Sequence, residues 1–238
     1  MNLITLKIKG NSHAQRLCLN NQAHWNKALL KCHSIVNRMF PNIPAKECNN
    51  ILQPITIKEF KKRFSVKIAL YGAPELEGRS AALFNSQDMK IYFPSDNPAD
   101  ANAEDCLFHE YLHWRSARNM RDIGISKWTQ HYLDDNREVW MPNGLRLNEG
   151  ATEYLNEKIR IACGKKDGRI AYPREVGFIK YLIEKGAISE ADFLKAYFEK
   201  GYDHFARMID EKLGYSAADA ITLGIENGTS LIKLQNLL

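Results

Sequence analysis

The sequence predicts an α+β fold in which a strand-rich first half feeds a helix-rich second half. Three observations carry that reading. Extended or alternating runs, the mark of half-buried strands, come early: LITLKIKG at 3–10, SAALF at 80–84 and MKIYFP at 89–94. Apolar residues at helical spacing dominate from residue 104 onward. At the join lies LFHEYLHWRS, 107–116, with two histidines four residues apart and a glutamate directly after the first.

The bulk composition sets the frame. The 238 residues are 45% hydrophobic and 26% charged, enough apolar material for a sizeable core and too much for a disordered chain. We read them as one domain of two lobes. Residues 1–55 have no assigned role, 56–122 form a sheet lobe ending in the histidine helix, and 123–238 form a helical lobe. The net charge of +5 is mild, and the densest basic cluster, KEFKKRF at 58–64, reads as a solvated helix face. Nucleic acid is therefore not an expected partner. No run reaches the roughly 18–20 apolar residues that span a bilayer, so no membrane association is expected. The N-terminal MNLITLKIKGNSHAQR has no apolar stretch after a basic start. The expected location is the cytoplasm, or outside the cell by a route without a cleavable leader. Five cysteines, an odd number without CxxC pairing, read as free thiols.

Along the chain, AHWNKALLKCHSIVNRMF at 23–40 has helical spacing and stops at Pro41. TIKEFKKRF at 56–64 is a short helix opened by Thr56, with Glu59 completing a capping box. SVKIALYG at 65–72 reads as a strand. SAALF and MKIYFP form a hairpin across the turn residues Asn85-Ser86-Gln87-Asp88. Helices follow at about 104–121, 147–163, 173–186, 189–200 and 203–213, with a weaker one near 216–225.

On a helix, residues i and i+4 share one face, their Cβ atoms about 5–6 Å apart. His109 and His113 can therefore aim at one metal ion, while Glu110 lies about 100° around the helix, near the ion without binding it. Chance produces HExxH often enough that the pattern alone is only a hypothesis. Its apolar flanks add weight, because Leu107, Phe108, Leu112 and Trp114 make unpartnered histidines costly there. A catalytic zinc site needs a third protein ligand. RLNEGATEYLNEK at 146–158 offers Glu149 as that ligand and Glu153, one turn on, as acceptor for the second ring N–H of a ligand histidine. Cys106, one turn before His109, reads as a small buried hydrophobe rather than a ligand.

HEYLH followed by LNEGATEYL resembles the gluzincin branch of zinc metallopeptidases, in which HExxH is followed by an NExxxxE-type helix. The likeness covers about residues 80–200, with ligand and base positions matched without substitution. It implies a zincin-like fold of minimal size, one zinc ion per chain, and hydrolysis of a peptide or protein substrate with Glu110 as general base. The GxMEN motif of the exopeptidase members is absent before HExxH, which argues against an aminopeptidase. The resemblance also implies a cleft-side edge strand that pairs with extended substrate. MKIYF is the candidate, with an ordinary core strand as the alternative.

A tetrahedral intermediate needs a second donor besides the metal. Tyr172, in RIAYPREVGF, is the first candidate. His131 and Tyr132, in the loop TQHYLDDN, are the alternatives. Two rival readings accompany the general peptidase: an effector or toxin protease with a single target, and a zinc-binding module with a regulatory role. The presence of Glu110 counts against the second. Oligomeric state is not legible in the sequence.

Overall fold

The computed structural model describes residues 13–70, 82–96, 103–132, 137–165, 171–230 and 233–234. The strand expected at 3–10 and the first residues of SAALF lie outside them. Within the described residues the chain is a mixed α+β protein, with two small sheets set among helices.

Helix α1 (His13–Met39) is longer than the periodicity suggests. Trp25, Ala28, Leu29, Cys32, Ile35 and Val36 recur every three or four residues and form its buried stripe. It ends just before Pro41, whose ring cannot continue a helix. Although it falls in the segment without an assigned role, α1 joins the core. Trp25 stacks on Phe93 at 4.9 Å, and His33 Nδ1 lies 2.9 Å from the Tyr111 hydroxyl.

Strand β1 (Leu52–Ile55) leads into α2 (Ile57–Leu70), whose first turn has the expected cap: the Glu59 N–H donates to Thr56 Oγ1 at 3.2 Å. The strand expected at 65–72 is not there. Helix α2 continues to Leu70, and residues 71–72 lie outside the described set. Phe60 and Phe64, buried one turn apart and packed on Tyr92, start a spacing of four that carries the helix through SVKIAL.

The expected hairpin forms from β2 (Leu83–Asn85) and β3 (Lys90–Pro94), paired antiparallel. Strand β1 then pairs parallel to the far side of β3, giving the order β1-β3-β2. MKIYF is therefore the central strand, not an edge, and the edge beside the histidine helix is β2. Pro54, which lacks an N–H, is tolerated in β1 because that strand lies at the other edge.

Helix α3 (Ala103–Ser116) carries the histidines and ends five residues earlier than expected. Lys46 Nζ donates to the carbonyls of Trp114 and Ala117 at 2.9 and 3.0 Å, occupying acceptors that a longer helix would use. Arg118 then pairs with Asp122 and donates to the Gly124 carbonyl, closing a tight turn in which Gly124 has φ +56°. The chain continues as a meander of β4 (Ala117–Asn119), β5 (Asp122–Ile123), β6 (Ser126–Tyr132) and β7 (Glu138–Asn143). The second half is thus not helical from its start: TQHY belongs to a strand rather than a loop.

Helices α4 (Leu145–Ala162), α5 (Pro173–Glu184), α6 (Glu190–Lys195), α7 (Tyr202–Leu213) and α8 (Ala217–Glu226) follow the expected order. A π-helical turn, Ala196–Lys200, extends α6. One buried apolar cluster runs through α1, α3, α4, α5 and the later helices. Among the described residues no helix is long and apolar enough to cross a membrane.

Helices α4 and α5 meet at Gly150. A Cβ there would lie 2.3 Å from the Glu175 Cβ and 2.7 Å from its carbonyl carbon. Gly150→Ala should therefore force the helices apart and destabilise the fold by about 1–3 kcal/mol, as overpacking does. Denaturant unfolding will measure this, and an unchanged midpoint would mean that the contact is not tight.

Candidate metal centre

The site starts from two helices that bury apolar faces against each other. Leu107, Phe108 and Leu112 of α3 and Leu147, Ala151 and Leu155 of α4 are all fully buried. Between these stripes the helices bring three polar side chains together. His109 Nε2 lies 3.1 Å from His113 Nε2 and 3.0 Å from Glu149 Oε2, and His113 Nε2 lies 3.3 Å from the same oxygen.

Those three donor atoms could hold a metal ion. Bonds of about 2.0–2.2 Å at tetrahedral angles would set neighbouring ligand atoms roughly 3.3 Å apart. The observed separations match that spacing closely. Two imidazoles with one carboxylate form a donor set used by catalytic zinc, with a fourth position left open. Cys106 is not in the group.

The electrostatics favour a cation at this point. Burial alone would lower the pKa of His109, but Glu149 and Glu153 outweigh it and hold it well above the ordinary imidazole value. Burial would likewise raise the Glu149 pKa, yet the adjacent His113 and His109 hold it far below the carboxylate range. A positive charge at His109, beside the carboxylates of Glu149 and Glu153, is what the surroundings stabilise.

Glu153 lies behind the His109 ring. Its Oε2 faces His109 Nδ1 at 3.1 Å and accepts from Asn156 Nδ2 at 3.1 Å, while Oε1 accepts from the Ala171 N–H at 3.3 Å. A buried carboxylate so held fixes the His109 ring with Nε2 turned to the centre of the group. Through Ala171 it also ties down the chain just before Tyr172.

Glu110 does not join the three donors. Its Oε2 accepts the Phe84 N–H at 2.7 Å, so β2 turns its unpaired side toward α3.

Tyr172 caps α5 in the left-handed region, φ 51° and ψ 47°, directly before Pro173. Such backbone costs about 1–3 kcal/mol for a non-glycine residue and tends to accompany functional sites. Its ring stacks over His109 with centroids 6.2 Å apart. The charge of Glu149 and then burial push the phenol pKa upward, so the hydroxyl remains a proton donor. His131 and Tyr132 instead lie exposed on β6, where the Tyr132 hydroxyl accepts from Gln130. Of the three candidates, only Tyr172 is placed against the group.

Four parts of the site have no counterpart in the sequence reading: the Phe84 N–H, Asn148, Thr152 and Tyr197. Asn148 Nδ2 and Thr152 Oγ1 lie 3.3 and 3.4 Å from His113 Nδ1. Asn148 and Thr152 flank Glu149 at positions −1 and +3, a turn apart on α4, so helical spacing was the signal that could have found them. The Phe84 N–H and Tyr197 come from distant segments and left no such signal.

The purified protein should carry close to one divalent ion per chain, and His113→Ala or Glu149→Ala should lose it. Full occupancy in both variants would refute the ligand set. Glu153→Ala should weaken binding about 10–100-fold rather than abolish it, because it orients a ligand without contacting the ion. A chelator titration measures that difference, and an unchanged affinity would remove Glu153 from the site. In comparisons with known proteins, the chain matches no family model, no curated protein and no solved structure.

Proposed function

We propose that the protein is a zinc-dependent peptidase in which Glu110 is the general base, with peptide or protein as substrate. The observation that carries this reading is the pairing of His109, His113 and Glu149 at tetrahedral ligand spacing with a separate carboxylate, Glu110, on the same helix. The gluzincin resemblance of HEYLH and LNEGATEYL supports it.

Zinc held by His109, His113 and Glu149 would lower the pKa of a water toward about 7 and polarise a carbonyl. Glu110 then takes the proton from the attacking water and passes it to the leaving amine. The Phe84 N–H holds one carboxylate oxygen in place, which leaves the other to accept that proton. Tyr172 donates its hydroxyl hydrogen to the oxygen on which charge develops. The unpaired side of β2, next to Glu110, is the edge along which an extended substrate would lie.

Glu110→Gln should keep its fold and its metal yet lose nearly all hydrolysis, because an amide cannot accept the proton. Near-normal turnover with labelled casein fragments would end the peptidase mechanism while leaving the metal centre intact. Tyr172→Phe should lower kcat about 10²–10³-fold with little change in KM, the pattern of a group that acts only in the transition state. Wild-type kcat in that variant would make Tyr172 a packing residue.

A further inference from the structure

We propose that Tyr197, acting through Thr152, is a positioning residue for His113. The inference rests on the reading that His109, His113 and Glu149 hold a divalent ion. It concerns the tautomer that His113 must adopt to serve as a ligand.

Hydrogen counting at Thr152 carries the argument. Its hydroxyl has one hydrogen, and the backbone carbonyl of Asn148, at 2.7 Å, takes it. Toward its other neighbours Oγ1 can only accept. The Tyr197 hydroxyl, 2.7 Å away and with Ser116 as its other polar neighbour, then acts as the donor in that pair. His113 Nδ1, at 3.4 Å, bonds to Oγ1 only when it carries a hydrogen.

His113 Nδ1 also faces Asn148 Nδ2 at 3.3 Å, and this neighbour is a donor. The amide cannot be turned around, because Asn148 Oδ1 accepts the Ile125 N–H at 2.9 Å. Nδ1 thus has two outlets of opposite kind. A bare Nδ1 accepts from Asn148, and a protonated Nδ1 donates to Thr152. A neutral histidine that binds metal through Nε2 must carry its hydrogen on Nδ1. Only the Thr152 outlet serves that tautomer.

Tyr197 sets the outlet. It is fully buried and sits in the π-helical turn, where its carbonyl accepts from Arg118 at 3.3 Å and its ring packs edge-on against Phe198. By donating into one lone pair of Thr152 it keeps the Thr152 hydrogen on the Asn148 carbonyl and leaves the second lone pair for His113. The two ligand histidines are then oriented by different chemistry: a carboxylate behind His109 and a relayed hydroxyl behind His113. Single-turn π segments recur at functional sites, and here the turn delivers a side chain to the metal group.

Cobalt(II) loading of the full chain tests the proposal without any substrate. Thr152→Ser keeps the hydroxyl and should match wild type in chelator-competition affinity and in the cobalt d–d spectrum. Thr152→Val should lose about 10–100-fold in affinity, and Tyr197→Phe about 10-fold, with altered d–d bands in both. Thermal unfolding of the metal-free proteins separates loss of fold from loss of orientation. Should Thr152→Val fail to fold, Tyr197→Phe and Thr152→Ser still decide the matter. Wild-type affinity and spectrum in Tyr197→Phe would overturn the proposal, as would a Thr152→Ser protein as weak as Thr152→Val. A wild type that takes up no cobalt would overturn the metal reading, and this proposal with it.

Discussion

The close packing of α3 on α4 is the constraint on which everything else depends. His109 and His113 come from one helix and need no tertiary help to share a face. Glu149 comes from another, and reaches them because α3 and α4 pack on each other within one buried apolar cluster that includes Leu107, Phe108, Leu112, Leu147, Ala151 and Leu155. Protein interiors are packed about as densely as organic crystals, so such an interface holds its side chains with little slack. That matters for chemistry, since a displacement on the order of 1 Å at a reacting group can cost about 10²-fold in rate. Gly150 extends the same logic outward. Lacking a side chain next to Glu149, it lets α5 approach and brings Tyr172 over His109.

The same interface would be unstable if its polar groups were left alone. Buried polar groups without partners cost several kcal/mol in an apolar setting, and Asn148, Thr152, Glu153 and Asn156 are all buried here. Most of their polar atoms find partners. Glu153 bridges His109, Asn156 and Ala171, Asn148 bridges Ile125 and His113, and Thr152 lies between Asn148, His113 and Tyr197. A polar layer this connected holds the imidazoles against rotation, and it links the metal group to the meander at Ile125 and to the π-helical turn at Tyr197. The residues that position the site therefore come from most of the chain, not from the two motifs alone.

The His-His-Glu cluster was legible because its spacing coincides with the helical repeat at both motifs. A four-residue interval on α3 and another on α4 placed His109, His113, Glu149 and Glu153 without knowledge of the fold. Features set by pairing between distant segments were not legible. Edge and core strand are both open readings of MKIYF, because nothing local reveals that Leu52–Ile55 covers its other side, and Pro54 hides that strand from sequence patterning. SVKIAL alternates like a strand, yet it also continues the four-residue spacing begun by Phe60 and Phe64, and the helix prevails. The meander was missed because SKWTQHY and EVWMPN expose both faces along much of their length and so lack a clean alternation. Arg118 and Lys46, which end α3 and turn the chain into that meander, act through contacts no local pattern encodes.

The central claim is that His109, His113 and Glu149 bind one zinc ion with a position left open for water. X-ray absorption at the zinc edge of the purified protein tests it most directly. The account predicts nitrogen and oxygen neighbours at about 2.0–2.2 Å, with the outer-shell signature of two imidazoles and no sulfur. A sulfur shell near 2.3 Å, or the signature of fewer than two imidazoles, would contradict it.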